Sequence, residues 1–81
     1  MKDIRAEIDR IDSELIPLLK ARFECSKKVA EYKRANNMKV LDSTREAEIL
    51  EKVKALGGEN IAEIYKCIMA QSRAVQEEMA K

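Results

Sequence analysis

Residues 4–29 read IRAEIDRIDSELIPLLKARFECSKKV. At about 100° per residue, Ile4, Ile8, Ile11, Leu15, Leu18, Cys25 and Val29 fall on one narrow face, with Leu19 at its edge. A second band of Ile16, Phe23 and Ala30 lies beside it, so the segment is apolar over nearly half its circumference. The pattern predicts a long first helix from about Asp3 to Ala35. Pro17 removes one backbone donor and sets its ring against the carbonyl of Ser13. The stripe nevertheless continues in phase on both sides, so a kink is expected there and not a break. A helix of about 33 residues is about 50 Å long, whereas a compact globule of this size is about 30 Å across. Its far half needs cover from another chain, and a two-fold homodimer is the commonest way to supply it.

Outward from that helix, Asn36 to Ser43 reads as a connecting loop. Ser43-Thr44-Arg45-Glu46 has the form of a capping box, in which Ser43 accepts from the Glu46 N–H and the Glu46 side chain reaches back. A second helix is expected from there through Ile49, Leu50, Val53 and Leu56, ending at Gly57-Gly58, where glycine can turn left-handed. Asn60, with Glu63 three residues on, can cap a third helix whose apolar face is Ile61, Ile64, Tyr65, Ile68, Met69, Val75 and Met79. The expected architecture is all-α, with three helices per chain forming an intertwined homodimeric bundle, and residues 1–81 as a single domain.

Composition narrows the function. Sixteen basic against fifteen acidic residues give a formal charge of +1, without the excess expected of a nucleic-acid or anionic-membrane binder. Cys25 and Cys67 stand alone, with no His to complete a zinc set, and read as reduced, small apolar fillers. No apolar run is long enough for a signal peptide or a membrane span, so a cytoplasmic protein is expected.

Polar residues that interrupt the apolar faces are the candidates for chemistry. Arg22 lies at the centre of the first helix's apolar face and Lys33 slightly off centre. Cations placed there are costly unless paired or supplied with an anion. Lys33, near a helix end, can alternatively snorkel into water. Glu46 projects onto the stripe of Ile49, Leu50 and Val53, with Arg45 at its margin, although capping also accounts for Glu46 and plain exposure for Arg45. Ser72 and Gln76 sit among Ile68, Met69, Val75 and Met79, and Ser72 can bond back to the carbonyl of Ile68. Together they offer several cations, one carboxylate and neutral donors, with no His, no evident activated nucleophile and no metal cluster. Such a set can bind and orient an anion without a cofactor, and is poorly equipped for covalent or metal-assisted work.

The spacing of Arg5, Arg22, Lys33, Asp42, Arg45, Glu46, Ser72 and Gln76, with I-R-x-E-I-D-x-I-D near the start and T-R-E-x-E-I-L in the second helix, resembles the all-helical class of chorismate mutases. The resemblance runs from Ile4 to Gln76. It implies an entwined dimer of three-helix chains with two equivalent sites. It also implies that Arg22, and Arg5 from the partner subunit, bind the carboxylates of a small dicarboxylate substrate. Lys33 and Gln76 would flank its ether oxygen, and Glu46 would accept from its ring hydroxyl with help from the backbone at Asp42. Arg45 and Ser72 would complete the polar wall. The implied reaction is the rearrangement of chorismate to prephenate. Alternatives on the same scaffold are an isochorismate pyruvate lyase and an amino-deoxychorismate mutase, and from another class a non-catalytic dimerisation or sensor module. Asp42 followed by Ser43 resembles the mutases more than the lyases. Five residues follow Gln76, so no fused regulatory, dehydratase or dehydrogenase domain is expected within this sequence, which reads either as a free-standing mutase or as a mutase domain excised from a longer chain.

Overall fold

The computed structural model describes residues 1–80. Two helices account for nearly all of it: α1, Lys2–Ala35, and α2, Ser43–Ala80. No strand occurs among the described residues. The chain is therefore all-helical, as its periodicity predicts, but with two helices where three were expected. α2 consists of two helical limbs joined at a non-helical Gly58, and Asn60 makes no side-chain cap bond at the start of the second limb. Glu63 instead pairs with Lys66 at 2.8 Å.

Gly57-Gly58 was nevertheless the right place to expect a change of direction. Gly58 has φ 83° and ψ −175°, outside the helical region, so α2 is bent there. Arg73 reaches Glu46, 27 residues away. Along a straight helix that separation would be about 40 Å, so residues 59–80 must fold back along residues 43–57. Next to the bend, a Cβ on Gly57 would lie 2.8 Å from that of Ile61, too close for any side chain. Lys54 and Glu59 bracket the glycine pair at 2.7 Å. Their mutual hydrogen bond, then their charges, raise the lysine and lower the glutamate from their ordinary pKa values. Both are exposed, so this ion pair contributes little to stability. Gly58 matters more, because its conformation is one that essentially only glycine adopts. Gly58→Ala is expected to cost about 1–3 kcal/mol, read as a lower denaturation midpoint at fixed protein concentration. An unchanged midpoint would mean that the bend is not held by this glycine.

α1 runs without interruption through Pro17. A 34-residue helix is about 51 Å long, which matches the molecule's longest dimension of 51 Å. The kink expected at Pro17 is therefore at most slight. α1 ends in a glycine-free Schellman turn: Asn37 takes φ 54°, its N–H bonds the Arg34 carbonyl, and the Met38 N–H bonds that of Lys33 at 2.7 Å. Asn tolerates this conformation better than most residues.

The start of α2 is capped one residue earlier than expected. Asp42 Oδ1 accepts from the Arg45 N–H at 3.0 Å, and its carbonyl from the Glu46 N–H at 3.0 Å. A carboxylate at a helix start also complements the helix dipole. Ser43 is thus not the cap, and the Glu46 side chain is released for another use.

Packing between α1 and α2 is thin. Among the described residues the buried apolar side chains are Ala30, Ala62 and Met69. The stripe that defines α1 is largely uncovered, from Val29 at 43% exposure to Leu18 at 68%. With a radius of gyration of 15.2 Å, against about 12 Å for a compact chain of this length, the single chain is elongated. Cys25 and Cys67 are free and exposed, which corrects the expectation that they fill apolar gaps.

Candidate active site

A cavity of about 400 Å³ opens between the second half of α1, the loop before α2, and both limbs of α2. Arg22 and Lys33 enter it from α1, Asp42, Arg45 and Glu46 from the start of α2, and Ser72 and Gln76 from beyond the bend. The sequence candidates thus converge on one place, with the exception of Arg5. That residue is exposed near the start of α1, about 25 Å along the helix from Arg22, and does not line the cavity of its own chain.

Each side chain is held by a specific neighbour. The Arg22 guanidinium lies over the Tyr65 ring, 5.6 Å from its centroid. This cation–π contact restrains an arginine placed on an apolar face. Lys33 is half-buried and donates to the Val40 carbonyl at 2.6 Å. The ammonium is thereby fixed over the loop and does not trail into solvent. Of its three donors, two remain for a ligand. Arg45 is exposed and also approaches Glu48 at 3.8 Å. Glu46 forms an ion pair with Arg73.

Among the described residues, Ser72, Gln76 and Ser26 are the buried polar ones. Ser72 does not bond back to Ile68. Its hydroxyl and that of Ser26 are 2.6 Å apart, Ser26 also donates to the Arg22 carbonyl at 3.2 Å, and Ser72 accepts from Gln76 Nε2 at 3.4 Å. One N–H of the amide is thus engaged and a second is left over. Gln76 Oε1 is buried with no hydrogen-bond partner. Buried polar atoms are rarely left so, and this one marks Gln76 as a group whose partners are not all supplied by the chain.

Two residues of the site were not singled out from the sequence. Ser26 follows Arg22 by four positions, the spacing that places it one turn on along the same face, and this signal was there to be read. Arg73 lies four positions after Met69 and three before Gln76, but its pairing with Glu46 left no trace in the sequence, because only the bend at Gly58 brings the two together. Four cations, Arg22, Lys33, Arg45 and Arg73, therefore face two carboxylates, Asp42 and Glu46. The surplus is positive, and it suits a ligand with more than one negative charge. Among the described residues no group of His, Cys, Asp and Glu is arranged to hold a metal ion.

Fold and site together define an all-helical protein with a polar cavity whose lining cations outnumber its carboxylates. Residues 4–77 match the family described as chorismate mutase type II, and the chain belongs to that family. It is 36% identical over 75 residues to a bifunctional chorismate mutase/prephenate dehydratase of Aquifex aeolicus, covering 93% of this chain and 20% of that protein. It is 37% identical over 54 residues to an intracellular chorismate mutase of Mycobacterium tuberculosis, covering 67% of this chain and 51% of that protein. A bifunctional protein of the same description from Buchnera aphidicola is 32% identical over 83 residues, covering 95% of this chain and 22% of the relative. The chain thus spans about a fifth of the bifunctional relatives and about half of the mycobacterial one. No solved structure matches it significantly.

Proposed function

We propose that the chain is a chorismate mutase that works as a homodimer, converting chorismate to prephenate by a concerted rearrangement in which a C–O bond breaks as a C–C bond forms. The observation that carries this reading is the convergence of Arg22, Lys33, Glu46, Ser72 and Gln76 on one cavity with a positive surplus. Chorismate brings two carboxylates, a ring hydroxyl and an ether oxygen, and each meets a group of matching chemistry. Arg22 binds a carboxylate, and Arg5 of a second copy of the chain binds the other. Glu46 accepts from the hydroxyl, with Asp42 and Arg45 shaping the loop side of the wall. The remaining donors of Lys33 and Gln76 point their positive ends at the ether oxygen.

No proton needs to move in this reaction. The protein selects the compact conformer that holds the reacting carbons near contact, and stabilises the negative charge that grows on the ether oxygen. Removing a preorganised donor of that kind costs roughly 3–4 kcal/mol. Lys33 and Gln76 therefore supply much of the acceleration, and the arginines mainly binding and orientation.

The exposed stripe of Ile4, Ile8, Ile11, Leu15 and Leu18 supports pairing with a second copy. A 51 Å molecule with so little buried apolar surface is poorly stabilised alone. A partner lying along that face also brings a second Arg5 toward the cavity, so two equivalent sites form per dimer. No described helix is long and apolar enough to cross a membrane, and we place the protein in the cytoplasm, in keeping with the mycobacterial relative's name. The test is direct. Purified protein is expected to consume chorismate, followed by its absorbance, and to yield prephenate without cofactor, while isochorismate gives no pyruvate. Release of pyruvate from isochorismate, with chorismate untouched, would replace this reading by the lyase.

A further inference from the structure

We propose that Arg73 is a positioning and specificity-determining residue: through its ion pair it holds Glu46 as an acceptor for a neutral hydroxyl and turns away a ligand that carries a cationic amine at the same place. The inference rests on the reading of the cavity as a chorismate mutase site. Both residues line the cavity, and both side chains are largely withdrawn from water, at 34% exposure for Arg73 and 23% for Glu46. They come from opposite sides of the bend in α2, 27 residues apart. Glu46 is not needed as a helix cap, because Asp42 caps α2.

The geometry divides the carboxylate between two tasks. Arg73 donates to Oε1 of Glu46, which leaves Oε2 for the ligand. An ionised carboxylate only accepts, so a hydroxyl can donate to it without a proton changing hands. A guanidinium stays charged throughout any working pH range, and it anchors the acceptor that would otherwise turn freely on a three-bond side chain. An ammonium seeking the same oxygen would meet the Arg73 charge at close range, with Lys33 and Arg45 lining the same cavity. Like charges this close in a partly dry site are strongly disfavoured. Without Arg73, Glu46 would be an unpartnered carboxylate, and an amine would be its natural counter-ion.

The test compares chorismate with its 4-amino-4-deoxy analogue as substrates for the full chain. Arg73→Met is expected to lower kcat/KM for chorismate about tenfold and to shift the hydroxyl-to-amine preference toward the amine by about tenfold or more. Arg73→Lys, which keeps the charge, is expected to return the preference to within a few-fold of the parent. Should Arg73→Met fail to fold by circular dichroism, Arg73→Gln, neutral but still able to donate, carries the same expectation. An unchanged preference in the neutral variant, or a lysine variant that behaves like the neutral one, overturns the role of Arg73 while chorismate turnover by the parent stands. A parent that does not turn over chorismate overturns both readings.

Discussion

Gln76→Glu is expected to be active in acid and to lose about 10²–10³-fold in kcat at neutral pH, while the parent changes little over the same range. An amide N–H donates at any pH, whereas a carboxyl group donates only when protonated. A glutamate in water titrates near 4.3. Placed at this position, 7% exposed in the parent, burial would raise that value by disfavouring the charged form. Activity should therefore be retained below the raised pKa and fall about tenfold per pH unit above it, as the protonated fraction declines. Above that range the variant does more harm than a simple deletion. Its carboxylate sets a negative charge against the oxygen on which negative charge is growing. The measurement is kcat across pH 4–8 for parent and variant, the window bracketing an ordinary and a raised glutamate pKa. Parallel profiles would remove Gln76 from the ether oxygen, whatever its position in the cavity.

Mixing two strongly impaired variants should restore activity. Arg5→Ala and Arg22→Ala each delete a charge-assisted contact to a substrate carboxylate, a loss of about 10–100-fold per contact from its net energy alone, and more where orientation also suffers. In a heterodimer of the two, one site has both arginines and the other has neither. If subunits exchange at random, about half the dimers are mixed, so about a quarter of all sites should be intact. The readout is turnover after mixing, beside a direct measure of exchange such as mass spectrometry of tagged subunits. Exchange without recovery would show that Arg5 serves its own chain or none. The 25 Å or so along α1 between Arg5 and Arg22 makes recovery the expected result.

The two experiments address different halves of the same arrangement. Gln76 is fixed by its own chain, through Ser72 and Ser26, so its behaviour tests the cavity as it stands. Arg5 is exposed and lies outside that cavity, so complementation tests what a second copy contributes. Pro17 bears on the second question. A sharp bend there would have swung the start of α1 away from its line, and the uninterrupted helix keeps Arg5 on the same axis as Arg22.

Much of the site was legible as a set of misplaced polar residues. Arg22 and Gln76 stand among apolar neighbours a turn to either side, which periodicity alone detects. Lys33 was ambiguous between the cavity and solvent, and only its 2.6 Å bond to the Val40 carbonyl resolves which. Glu46 was ambiguous between a cap and a site residue, and it is Asp42 taking over the cap that frees it. The local pattern permitted either residue to cap the first turn of α2, since Asp42 and Ser43 are both good caps.

By itself, the sequence determined that this chain is helical, where its apolar stripes run, and that α1 is too long for the domain it belongs to. These are consequences of spacing along one helix, and spacing is local information. The glycine pair marked where α2 turns, but tertiary structure alone decided how far residues 59–80 fold back there, that Ser26 meets Ser72 from 46 positions away, and that Arg73 takes hold of Glu46. Contacts of that kind depend on the single backbone conformation at Gly58 and on how closely small residues let two helices approach. Neither leaves a periodic trace in the chain.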